Sequence, residues 1–149
     1  MKSNDFYQDE PFSTFEAAEI LGMGEHRAQV VAWVRRHINP YELDETYNRK
    51  KMMRLDLVNL FELFLLKILK KHNLKPGKIN DFVGREHIKK ALQTEERSYL
   101  MLFGGTRMAI ICNNPIALWQ RTGGATSVLM VDFQKIKSQI LEGIKKVRV

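Results

Sequence analysis

Cysteine is nearly absent: Cys112 stands alone, so no intrachain disulfide can form. The opening Met1-Lys2-Ser3-Asn4-Asp5 carries no apolar signal run. Both absences point to a reducing, cytoplasmic setting. No apolar stretch is long enough to span a bilayer, since the richest one, 58–69, is interrupted by Asn59, Glu62 and Lys67; a membrane partner is not expected. With 44% hydrophobic and 28% charged residues, disorder and fibrous repeats are excluded. A chain of 149 residues can bury about 70% of its unfolded surface and needs no covalent staple. Acids are the scarcer charge, 17 against 24 Lys and Arg, which leaves +7. A basic balance suits an acidic partner, with nucleic acid first and a membrane surface second.

The groups that would make an enzyme are also missing. The histidines, His26, His37, His72 and His87, have no helical zinc spacing, and Cys112 has no partner cysteine. Neither a metal nor a cofactor is expected. Gly104-Gly105-Thr106-Arg107 lacks the Gly-Lys-Ser/Thr ending of a phosphate loop and falls between strand-like runs. Cys112 has no helix start or histidine to activate it and reads as a small buried hydrophobe. Glu95-Glu96 and Asp44-Glu45 are loop carboxylates with no acid–base role. No assembled acid, base or nucleophile argues for an enzyme.

Charge is unevenly placed. Residues 1–23 sum to −4, 24–54 to +3, 55–91 to +4 and 92–149 to +4. The positive groups cluster at Arg35-Arg36, Arg49-Lys50-Lys51, Lys67, Lys70, Lys71, Lys75 and Lys78. The chain divides into a polar tail at 1–11, a helical head with its supporting helices at 12–94, and a strand-then-helix region at 95–149. The expected class is α+β.

Ser13 followed by Glu16 is a capping-box start, and Phe15, Ala18 and Leu21 repeat at helical spacing. Gly22 stops that helix by entering the left-handed region without penalty. A second helix is expected from about Glu25 to Arg36. At 100° per residue, Val30, Val31, Trp33 and Val34 gather on one side. Glu25, Ala28, Gln29, Ala32, Arg35 and Arg36 gather on the other, with the alanines at its centre. Arg27 falls in the apolar arc, so its stem is expected on the core with its head at the edge.

A short helix, a glycine turn and a second helix with a small-centred cationic face make a helix-turn-helix. Ser13-Thr14-Phe15-Glu16-Ala17-Ala18-Glu19-Ile20-Leu21-Gly22-Met23, then Trp33-Val34-Arg35-Arg36, then Arg54-Leu55-Asp56-Leu57-Val58-Asn59-Leu60 resemble the winged helix-turn-helix heads of MerR-like DNA-binding proteins. The resemblance covers 12–75, and the spacing from Gly22 to Trp33 is slightly longer than in that family. It implies a β wing at 37–54 that lies beside the duplex backbone and a second helix that enters the major groove. Arg27, Gln29, Arg35 and Arg36 would then face the groove, and Arg49, Lys50, Lys51 and Arg54 would grip phosphates.

Leu55 to Lys71 is apolar on more than one face, so this helix runs through the centre of the fold or packs on a second subunit. Further helical stretches are expected around Ile79–Val83 and Ile88–Leu92. Tyr99–Phe103 and Met108–Cys112 read as a hairpin about Gly104-Gly105, with further strands at 116–120 and 127–131. Ile136, Ile140, Ile144 and Val147 stripe a terminal helix. In layout the whole resembles antitoxins that join a MerR-like head to a small toxin-binding tail. The expected function is a DNA-binding transcriptional regulator, acting on double-stranded DNA as a homodimer. The alternative is a protein-interaction module or antitoxin-like protein whose residues 95–149 bind a partner protein.

Overall fold

The computed structural model describes residues 11–39, 42–44, 52–103, 109–121 and 127–148, with backbone alone at 42–44 and 52–53. The tail at 1–10, Arg49, Lys50, Lys51 and the two Gly-Gly turns lie outside them. The fold is α+β.

Helix α1 spans Thr14–Ile20 and starts on the expected capping box: Ser13 Oγ accepts from the Glu16 amide at 3.1 Å, and Glu16 Oε1 accepts from the Ser13 amide at 3.3 Å. It ends at Gly22, whose φ of 71° lets the Met23 amide turn back to the Ala18 carbonyl at 2.7 Å. A 3-10 turn at Gly24–His26 leads into α2, Arg27–His37. Two short strands follow, β1 at Glu42–Asp44 and β2 at Met52–Arg54, paired antiparallel with Glu42 opposite Arg54.

Helix α3, Leu57–Lys71, is the axis of the molecule. Asp56 and Asn59 form its capping box, and eleven of its residues, from Leu57 to Leu66 and Leu69, are buried. The expectation left open between a central helix and a subunit contact resolves to the first: neighbours within the chain surround it. Helices α4, Ile79–Phe82, and α5, Arg85–Gln93, follow on either side of Gly84.

The remaining strands form one sheet in the order β4-β3-β5, with β3 at Tyr99–Phe103, β4 at Ala109–Cys112 and β5 at Val128–Asp132; β4 and β5 are both antiparallel to β3. The segment expected as a strand at 116–120 is instead helix α6, Pro115–Arg121. Asn114 Oδ1 accepts from the Ala117 amide at 3.1 Å, and Pro115 occupies the first helical position, where its missing N–H costs nothing.

Helix α7, Phe133–Val147, starts on Asp132, whose carboxylate accepts from the amides of Gln134 and Lys135. Its Ile136, Ile140 and Ile144 are buried, and Phe133 meets Phe61 of α3 edge to face at 5.0 Å. One core takes in α1, α2, α3, α5, the inner sheet face and α7, so it crosses the change of secondary structure near residue 95. The C-terminal end returns to the start: Arg148 donates to both Glu16 oxygens at 3.0 and 3.3 Å and to the Pro11 carbonyl, and lies 4.0 Å over the Phe12 ring.

Candidate nucleic-acid interface

Helix α2 buries Val30, Trp33 and Val34 against α1 and α3 and turns its opposite face to solvent. Ala28, Gln29, Arg35 and Arg36 are exposed, and Val31 and Ala32 are half-buried. A shallow concavity of about 680 Å³ lies on this face, lined by Ala28, Val31 and Ala32 and bordered by Arg27, Arg35 and Glu25. The small residues hold the surface back while the guanidinium groups stand out around it. No residue on this face has a large side chain at its centre, so a rigid surface can approach the backbone of α2 closely.

Two expectations are corrected by this geometry. Arg27 does not lay its stem on the core; it is exposed, and its guanidinium carbon sits 5.3 Å from the centroid of the Phe15 ring. Phe15, part of the apolar stripe of α1 by its spacing, is itself 55% exposed. The two side chains cover each other at the start of α1, which explains how both leave the core. Periodicity alone assigns each to an apolar arc because it cannot register a neighbouring helix that leaves that arc open.

The C-terminal end of α2 is fastened at three points. His37 Nδ1 lies 2.9 Å from the Gly77 carbonyl oxygen, Lys78 Nζ donates to the Arg35 carbonyl at 3.4 Å, and Asn59 Nδ2 donates to the Asn39 carbonyl at 2.9 Å. Arg35, Arg36 and His37 fall in the last turn, where positive charge complements the helix dipole. Lys67 donates to the Leu21 carbonyl at 2.7 Å and so closes α1. Lys67 and Lys78, which the charge runs group with the other cations, therefore satisfy helix ends.

Around the first turns of α3 sits a buried polar cluster that the sequence reading misses. Glu62 is 1% exposed; its Oε1 accepts from Asn59 Nδ2 at 3.0 Å and lies 3.8 Å from Arg85, and its Oε2 has no hydrogen-bond partner among the described residues. Arg85 also pairs with Asp56 at 2.6 Å. Burial pushes the Glu62 carboxyl up to about 7, opposed by the Asn59 hydrogen bond and the Arg85 charge. The cluster joins Asn39, two residues after α2, the return from β2, α3 and α5. An acid inside an otherwise apolar run is the signal that could have found it.

Arg54 is exposed at the end of β2, on the strand that follows Arg49, Lys50 and Lys51. Thus Arg27, Gln29, Arg35 and Arg36 share the open side of α2, and Arg54 marks where the hairpin rejoins the core. Elsewhere, Cys112 is half-buried rather than fully enclosed: its Sγ lies 3.5 Å from Met101 Sδ, and desolvation pushes its thiol pKa up. It borders a cleft of about 310 Å³ in which Lys90 pairs with Glu96 at 3.6 Å. Among the described residues, no helix is long and apolar enough to cross a membrane.

No protein-family model matches the chain, and no curated protein matches it in sequence.

Proposed function

We propose that this protein is a DNA-binding regulator that lays the open face of α2 in the major groove and rests its β1–β2 hairpin on the adjacent phosphates. The observation that carries the reading is the exposed, alanine-centred cationic face of α2, held on a core-anchored base. An α-helix fits the major groove of B-form DNA, where Arg pairs with guanine and Gln with adenine at base edges. Gln29, Arg35 and Arg36 are the side chains assigned to bases, with Arg27 at the edge of the face. Arg49, Lys50, Lys51 and Arg54 are assigned to phosphates, which position the protein without reading sequence. The resemblance of 12–75 to MerR-like heads agrees with this assignment.

Selection of bound duplexes from a random pool tests it. Enrichment of a defined sequence that is lost when Gln29 and Arg36 are both changed to Ala is the expected result. A pool that shows no enrichment, together with duplex binding insensitive to salt, overturns it.

A further inference from the structure

Phe15 and Arg27 stand in places that folding alone does not favour. Phe15 lies in the first turn of α1 and is 55% exposed, although a large aromatic side chain gains most from burial. Arg27 opens α2, so its charge sits at the positive pole of the helix dipole. The first turn of α2 contains no acid. Among the described residues Arg27 is in no ion pair, Glu25 of the preceding turn included. Its neighbour is instead the Phe15 ring, with 5.3 Å from the guanidinium carbon to the centroid, inside the range of a cation–π contact. A side chain of the first helix thus supports one on the second.

The place of Arg27 on α2 gives this pairing a use. Arg27 and Arg35 both border the alanine-floored concavity. They are about 12 Å apart along the helix axis, so one guanidinium stands at each end of the floor. In a helix-turn-helix the N-terminal residues of the second helix reach the base edges. Arg27 is the Lys or Arg in that first turn. A free Arg side chain must surrender rotamers to meet guanine O6 and N7 in one plane. A ring against the guanidinium restricts it beforehand. A carboxylate partner would do the same but would occupy donors; the ring accepts no conventional hydrogen bond and leaves all five N–H groups for the ligand.

We propose that Phe15 is a positioning residue that holds Arg27 ready to read one guanine in the major groove. The inference rests on the DNA reading of α2 and adds to it a base reader at the N-terminal end of the face.

Selection of duplexes by the full chain, followed by titration of duplexes altered one base pair at a time, tests it. Arg27→Ala loses about tenfold or more discrimination at a single G·C pair. Phe15→Leu keeps an apolar side chain without the π face and loses about two- to fivefold at the same pair. Phe15→Tyr restores the ring and retains the discrimination. In Phe15→Leu with Arg27→Ala the loss is no larger than in Arg27→Ala alone, because one residue acts through the other. Both positions are exposed, so the variants melt close to the parent. If Arg27→Ala weakens all duplexes alike, Arg27 is a phosphate contact and the proposal is overturned. It is overturned too if Phe15→Leu discriminates as well as the parent. In both of these outcomes the parent still selects a sequence, so the DNA reading stands. A parent that enriches no sequence overturns that reading, and this inference falls with it.

Discussion

Gly143 of α7 lies directly on Ile20 of α1: a Cβ at position 143 would fall 2.7 Å from Ile20 Cγ2 and 2.9 Å from the Ile20 carbonyl oxygen. The last helix therefore approaches the first closely enough to exclude any side chain. The backbone atom cannot rotate away, so the whole helix must move to admit a methyl group. Gly143→Ala gains helix propensity of about 1 kcal/mol but loses about 2–3 kcal/mol to overpacking against a backbone atom that cannot move aside, for a net destabilisation of about 1–2 kcal/mol. A lowered denaturation midpoint with unchanged secondary structure checks this; a midpoint raised by the substitution refutes the close approach.

The Glu62 cluster makes stability depend on pH. The Glu62 carboxyl titrates near 7 in the folded chain against an ordinary value of 4.5, because it is buried. The unfolded chain releases that proton first as pH rises, so stability is highest below about 4.5 and falls by about 3 kcal/mol by the time pH passes 7. Glu62→Gln removes this dependence. The variant is expected to match the parent near pH 4.5 and to exceed it in stability at pH 8, as urea denaturation at the two values would measure. Equal pH slopes for the two proteins would contradict the assignment.

Arg148 and Glu16 link the chain's ends with the opposite sign. The hydrogen bond from Arg148 is the main cause that holds the Glu16 carboxyl below its usual range. Its contribution is present above the ordinary value of 4.5 and disappears as pH falls through the lowered one. Both side chains are partly exposed, so Arg148→Ala costs about 1 kcal/mol at neutral pH. The substitution also uncovers the ring of Phe12. Thermal melts at pH 7 and pH 3 follow it: the difference between variant and parent is expected to shrink at the lower pH.

Binding to duplex DNA separates the two groups of proposed DNA-facing residues. Changing Arg49, Lys50 and Lys51 together to Ala weakens all duplexes alike and flattens the salt slope, by about 0.9 in log–log units for each phosphate no longer neutralised. Changing Gln29 or Arg36 singly costs about 1–3 kcal/mol and relaxes preference at particular base pairs. Titrations of a selected and a scrambled duplex at two salt concentrations distinguish these outcomes. Unaltered binding in both sets would refute the assignment of these faces.

Features that depend on a few successive residues are legible in the sequence: the Ser13–Glu16 box, the Gly22 stop, the solvent side of α2, the strands around residues 99 and 110, and the isoleucine stripe of α7. Each is a local backbone preference or a period, and the amino-acid order contains both. The α6 segment is harder: Asn114 and Pro115 make a helix start, but the short apolar run after them fits a strand equally well by period. Only the tertiary structure decided that Arg27 and Phe15 meet outside the core, that Glu62 sits in a buried cluster with Arg85, and that Gly143 touches Ile20. These relationships join residues brought together by folding, where packing against other elements, rather than local spacing, decides what is buried and what a charge finds beside it.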